Sequence, residues 1–257
     1  MVNIFPAKNS PGEFIARDAS KKLMQQLNLN FMSITNKTYC IGKYDMPYVT
    51  TNLTELPDYI ALYGEPGQYH RTNNTCVAFY QYESLYDDLY GIFNAIYYDN
   101  HELQAYYLNR FAGVPCFIAP DFSICGDAPH IENLYRVFRA RVVSVWLTLK
   151  LGSNVIPNVT YSSSASFSYM LDGMEDCDVV AFSTKRVMRS KEFRSLTKQA
   201  VQYTVDRLPL DAIVVYSVNA NLQPVYDLFD YAIAHNVKIV IPDNTLRMRN
   251  MKLQEAA

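Results

Sequence analysis

Asp121 is the residue of this chain best placed to do chemistry. It follows the apolar run Phe117-Ile118-Ala119 and Pro120, and the proline holds the backbone before it extended. A carboxylate is thereby carried to the end of a strand. Asp127, His130 and Glu132 follow shortly after. Such a group could hold Mg²⁺ or Mn²⁺, or supply an acid–base pair for hydrolysis. The plainer reading makes Asp127 the cap of the next helix, with His130 and Glu132 in its first turn. On that reading Asp121 accepts hydrogen bonds from a neighbouring loop. Arg136 and Arg139, three residues apart, share a helix face and Arg141 points elsewhere. One of the three, with Arg139 the candidate site residue, is expected to pair with Asp121 or Asp127, or else to capture an anion.

A second set of polar residues ends the later apolar runs: Asn158, Ser183, Ser217, Asn219, Asp243 and Asn244. Of these, Asn158, Ser183, Ser217, Asp243 and Asn244 are the candidates for a pocket that takes a sugar, a nucleoside or a peptide. Turn chemistry alone also places polar residues at strand ends, so their joint position carries more weight than any one of them. Nucleophilic catalysis has no signature. No Gly-x-Ser-x-Gly elbow occurs, the four histidines are scattered, and Cys125 near His130 is more simply an inert thiol.

The elements that must position these residues are legible from hydropathy. Runs such as Val179-Val180-Ala181-Phe182 and Ile213-Val214-Val215-Tyr216 have the continuous apolar character of parallel strands buried on both faces. Strands are expected over 59–63, 76–82, 116–121, 154–159, 178–183, 211–216 and 237–241. Helices are expected over 14–29, 85–110 with a break near Asp99-Asn100, from Asp127 to Leu151 with Gly152 as its stop, and over 190–207 and 221–235. The fold class is therefore α/β, a mostly parallel sheet built from β/α repeats. A barrel-like arrangement, closed or incomplete, is favoured over an open doubly wound sheet, because polar residues cap every strand at one end with no glycine fingerprint. Only nine glycines occur, and neither GxGxxG nor a P-loop is present. Residues 1–58 are expected as an arm, a short helix and an irregular segment packed on the core, 59–245 as one β/α domain, and 246–257 as a basic tail. Ligands of such folds sit at the carboxyl ends of the strands.

Composition narrows the function classes. The 257 residues are 49% hydrophobic and 19% charged with a net charge of −2, which is ordinary for a globular chain and lacks the basic surplus of a phosphate-backbone binder. The five cysteines are odd in number and form no CxxC, so reduced thiols and a cytoplasmic location are expected. No secretory h-region or membrane-length apolar run occurs, and the four glycosylation sequons are then chance. No cofactor signature is evident; a divalent metal at the Asp121 group is the one candidate. Tyrosine is abundant, at 21 residues against one tryptophan, which suits half-buried faces and also protein interfaces.

Several segments resemble an uncharacterised family, domain-of-unknown-function family 4417, known from bacteria, plasmids and phages. They are Tyr44-Asp45-Met46-Pro47, Pro120-Asp121-Phe122-Ser123, Gly126-Asp127-Ala128-Pro129, the run Asn133 to Arg141, Val155-Ile156-Pro157-Asn158-Val159 and Ala181-Phe182-Ser183-Thr184. The resemblance spans about residues 44–216 and implies a mobile-element setting with no chemistry attached. The family usually has an aromatic residue, often Trp, where Tyr161 stands, and a glycine where this chain has Lys185-Arg186. Three functions follow in order of expectation. The first is an accessory protein of a phage or plasmid that binds a protein partner. The second is a metal-assisted hydrolase or phosphoesterase-like enzyme at the strand ends, taking a small-molecule ligand. The third is a nucleic-acid-binding replication accessory.

Overall fold

The apolar runs of the sequence are strands, and nearly all of their residues are buried on both faces. The computed structural model describes residues 21–51 and 53–256. In chain order the elements are α1 (Lys21–Gln26), α2 (Met32–Thr35), β1 (Cys40–Ile41), β2 (Met46–Pro47), β3 (Tyr59–Leu62), β4 (Thr75–Ala78), α3 (Ile92–Tyr97), α4 (His101–Arg110), β5 (Cys116–Ile118), α5 (His130–Leu151), β6 (Asn154–Ile156), β7 (Val179–Ser183), α6 (Lys191–Val205), β8 (Ala212–Tyr216), α7 (Gln223–Tyr226), α8 (Asp230–Ala234), β9 (Lys238–Val240) and α9 (Thr245–Glu255). Strands β1 and β2 form a small antiparallel hairpin. All other pairing among the described residues is parallel.

Strands β3-β4-β5-β6 make one sheet and β7-β8-β9 a second, each in sequence order. Two isolated bridges join them. Asn158 pairs with Ala181 between β6 and β7, and Asp243 pairs with Tyr59 between the end of β9 and β3. At the first seam Ala181 N–H donates to Pro157 and Val159 N–H donates to Ala181, both at 2.9 Å. At the second, Ile60 N–H donates to Asp243 at 2.8 Å and Asp243 N–H to Asp58 at 3.0 Å. Each seam lies just after an Ile-Pro pair, Ile156-Pro157 and Ile241-Pro242. Proline has no N–H to give to a ladder, so regular pairing stops there and resumes for one residue. The architecture is a barrel-like ring of parallel strands, incompletely laddered and not closed by continuous pairing.

The period-2 alternation sorts side chains to two sides of this ring. Ile60, Cys76, Ala78, Ile118, Ile156, Val179, Ala181 and Val214 meet in one buried cluster inside it. Ala61, Val77, Phe117 and Val155 face outward onto a second cluster with Trp146 and Val143 of α5. Val180, Phe182, Ile213 and Val215 pack with Ala200 and Val201 of α6 in a third. Arg141, fully buried, pins α5 to the turn before β7 by donating to the carbonyls of Asp172 (3.0 Å) and Met170 (2.9 Å). Gly173 beside it has φ +87°, and a Cβ there would stand 2.7 Å from the Pro47 carbonyl. This position takes glycine for both reasons.

Several expectations are corrected. Of the helix expected over 14–29, α1 covers Lys21–Gln26, and residues before 21 lie outside the described ones. The break expected near Asp99-Asn100 is present and divides the region into α3 and α4, because Asp99 turns to φ 51° and the Asn100 side chain caps α4 by accepting from Leu103 N–H. Residues 221–235 are likewise two short helices, so that Leu228 and Phe229 between them reach the core. Asp127 does not cap α5. Pro129 stands at that position, and Asn133 instead reaches back with its side chain to the Cys125 N–H and carbonyl. No α-helix lies between β6 and β7. Gly152 does stop α5, at φ 68°, and residues 246–255 continue α9 rather than trailing as a tail.

Asn244 fastens the second seam: its side chain accepts from Arg247 N–H to cap α9 and donates to the Ser217 carbonyl at 2.8 Å. Asn244→Ala removes a cap and strands a buried carbonyl, and is expected to cost about 1–3 kcal/mol, read as a lower urea midpoint with an unchanged m-value.

Candidate functional site

The carboxyl ends of β4 to β7 surround a cavity of about 530 Å³. Tyr80, Asp121, Asn158, Thr160, Ser183 and Lys185 line it, with Tyr82, Tyr161 and Phe193 as its aromatic walls. The position follows from the ring. Parallel strands end together on one rim, and the residues just past their last paired positions project into the mouth.

One hydrogen-bonded chain organises the floor. The Tyr80 hydroxyl donates to Asn158 Oδ1 at 2.7 Å. That contact fixes which way the Asn158 amide points, and its Nδ2 donates to Asp121 Oδ1 at 3.0 Å. Thr160 Oγ1 donates to the same oxygen at 3.2 Å. The Tyr86 hydroxyl holds the Asp121 carbonyl at 3.0 Å. The Tyr80 ring lies against Tyr216, centroids 5.0 Å apart at 23°, so the whole chain rests on packed aromatic surface. Asp121 Oδ1 is thus occupied twice. Oδ2 takes no hydrogen bond from the described residues and faces the cavity.

Burial pushes the Asp121 carboxyl up to about 6, and the nearby Glu83 charge adds to the rise. The Thr160 and Asn158 hydrogen bonds and the Lys185 ammonium oppose it. Desolvation disfavours the charged form more than two donors and one cation restore it. Burial likewise raises the Tyr80 hydroxyl well above its ordinary range and the Tyr161 hydroxyl to about 12, so both act as neutral hydrogen-bonding groups. Glu83 is held in place by an ion pair with Arg136 at 3.0 Å and by the Ser123 N–H at 2.5 Å.

Of the residues singled out in the sequence, the structure brings Asp121, Asn158 and Ser183 to this cavity. Asp127 is exposed and does not line it. Arg139 pairs with Asp87, its guanidinium held between the rings of Phe122 at 4.2 Å and Phe93 at 4.6 Å. It meets neither Asp121 nor Asp127. Ser217, Asp243 and Asn244 also end strands but serve the second seam. Ser217 Oγ accepts from Asn219 N–H at 3.3 Å, and Asp243 pairs with Arg247 at 2.6 Å. The Asp121/Asp127/His130/Glu132 grouping does not assemble, since His130 packs on Tyr44 and Tyr169 while Glu132 pairs with Arg136. Among the described residues no three His, Cys, Asp or Glu side chains converge as metal ligands.

Sequence reasoning missed Tyr80, Thr160 and Lys185. Thr160 follows Asn158 by two residues, the period that returns a side chain to the same face of an extended chain, and Tyr80 follows Ala78 by the same step. Lys185 follows Ser183 by that step too. Its Nζ donates to the Tyr80 carbonyl at 3.0 Å, a contact across 105 residues.

A family model described as Domain of unknown function (DUF4417) matches residues 39–233, a span that holds every residue of the cavity. The "Gene 1 protein" of Mycobacterium phage L5 is 26% identical over 109 residues, 42% of this chain and 47% of that protein. The chain thus spans about half the length of the curated relative it matches. No solved structure matches. No helix among the described residues is long and apolar enough to cross a membrane.

The raised carboxyl has a signed consequence for stability. A folded-state pKa above the unfolded value makes the native state favoured below about pH 4 and progressively less so as pH rises through about 6. Asp121→Asn keeps the acceptor oxygen and removes the charge. It is expected to match the parent near pH 4 and to exceed it by about 1–3 kcal/mol at pH 7.5, measured by urea denaturation at both pH values.

Proposed function

The chain belongs to the family described as domain of unknown function (DUF4417), and from the site it carries we propose that it binds a small organic molecule at the carboxyl ends of β4 to β7 and transfers a proton on it through Asp121. The observation that supports this is the state of one carboxylate. It is buried, anchored at one oxygen, open at the other, and lifted toward neutral pH. A group that titrates near the working pH can both take and return a proton. Tyr80, Asn158 and Thr160 position it, and the aromatic walls supply apolar contact for the body of the ligand. Hydrolysis with Asp121 as the base that activates water is the reaction class that suits this donor set. It asks for no three-residue metal cluster.

The test uses chromogenic p-nitrophenyl esters, glycosides and phosphates with the full chain. Turnover of at least one is expected to rise with pH through an apparent pKa near 6 and to fall at least 100-fold in Asp121→Asn, with a smaller loss in Asn158→Ala. Turnover or ligand binding equal to the parent in Asp121→Asn contradicts the reading.

A second reading, an accessory protein that captures a protein partner in a phage or plasmid setting, draws on one surface. Tyr82, Leu89 and Tyr90 are 70%, 83% and 69% exposed within a single loop, and aromatic residues of this kind anchor interfaces. The similarity to a phage gene product supports the setting. Loss of partner capture on substituting Leu89 and Tyr90, with Asp121→Ala indistinguishable from the parent, favours this reading over the first.

A further inference from the structure

The loop after β7 carries two cations that the fold does not neutralise. Lys185 is half-buried on the wall of the cavity, and its Nζ gives one hydrogen bond, to the Tyr80 carbonyl. An ammonium has three donors, so two are left for another partner. Arg186 lines the same cavity and makes no side-chain hydrogen bond to the described residues. Among the described residues neither has a carboxylate within ion-pair distance, whereas Arg136, Arg139 and Arg247 all do. Both lie 5.9 Å from the Tyr82 ring centre, so the two charges share one aromatic wall of the cavity. Contact with an exposed ring is weak and leaves both heads available.

Arg186 is also held in left-handed backbone, φ +73°. A non-glycine residue is uncommon there, and at this turn the half-buried Lys185 and the exposed Arg186 both border the cavity. Asp121, whose Oδ2 takes no hydrogen bond from the described residues, lines the same cavity.

Taking the ligand-binding cavity of the preceding section as its premise, we propose that the ligand is a phosphate ester, its phosphoryl group held by Lys185 and Arg186 and its organic part extending toward Asp121. Two adjacent cations match the charge of a phosphate monoester, about −1.5 to −2 at pH 7, better than that of a single carboxylate. A guanidinium offers a phosphate paired donors, and an ammonium offers a point charge. The phosphoryl group sits at the rim, where water reaches it, and the apolar walls formed by Tyr161 and Phe193 receive the rest.

The test is calorimetric titration of the full chain with inorganic phosphate at pH 7 and low salt, with acetate as the carboxylate arm. Saturable binding of one phosphate is expected, at least tenfold tighter than acetate. Lys185→Gln and Arg186→Gln should each weaken it at least tenfold. Arg186→Gly relieves the left-handed backbone while removing the guanidinium, so its loss of binding cannot come from misfolding. Lys185→Arg should restore most of the affinity. Asp121→Asn should bind phosphate as well as the parent or better, because a nearby negative charge is gone. Phosphate no tighter than acetate, or binding unchanged in Arg186→Gly, overturns the proposal. Phosphate binding that persists while Asp121→Asn has no effect on any turnover leaves the anion site standing and removes the proton-transfer reading instead.

Discussion

Asn158 belongs to two structures at once, and the rest of the molecule depends on that. Its backbone forms the single bridge to Ala181 that joins the four-stranded sheet to the three-stranded one. Its buried side chain links Tyr80 on β4's extension to Asp121 beyond β5. Pro157 is the reason the bridge is single, since it ends the β6 ladder one residue earlier. The ladder is interrupted at the rim of the cavity, and there one amide side chain ties the ends of β4 and β5 to the residue that bridges to β7. The opposite seam repeats the arrangement with Pro242, Asp243 and Asn244, but there the side chains cap α9 and hold Ser217, and they line no part of this cavity.

The same arrangement explains why Asp121 is unlike the acids that pair with arginine. Asp87 and Asp243 have arginine partners, and Glu83 has one as well. Asp121 is given two neutral donors and a lysine too distant to form an ion pair. Neutral donors orient a carboxylate without fully compensating its desolvation. The arginines that sequence spacing pointed at this site are used up elsewhere, Arg139 between aromatic rings and Arg141 on buried carbonyls. An acid left short of compensation at a cavity is a frequent mark of function.

How much of this was legible in the sequence divides along a physical line. Buried parallel strands write themselves as uninterrupted apolar runs, so β5 to β8 and their common rim could be read directly, as could Gly152 at the end of α5. Asp121 was legible because Phe117-Ile118-Ala119-Pro120 fixes where its carboxylate emerges. What could not be read are contacts set by long-range packing. Arg139 finds Asp87 across 52 residues, Tyr80 finds Asn158 across 78, and Lys185 finds Tyr80 across 105. The expected grouping of Asp121 with Asp127 failed for a local reason, because residues 122–129 carry Asp127 away from the rim to the exposed surface. The glycine that the resemblance leads one to expect near Lys185-Arg186 has its counterpart in the positive φ of Arg186, a backbone need that sequence shows only as a departure.

The most direct test of this account is the ¹³C titration of the Asp121 carboxyl in Asn158→Ala, alongside amide exchange at Val159 and Ala181. If the side chain that orients the acid also steadies the backbone bridge beside it, the carboxyl should titrate higher than its parent value of about 6, and both amides should exchange faster. A titration at or below the parent value with unchanged exchange would show that the seam and the acid are independent, and the account would be wrong.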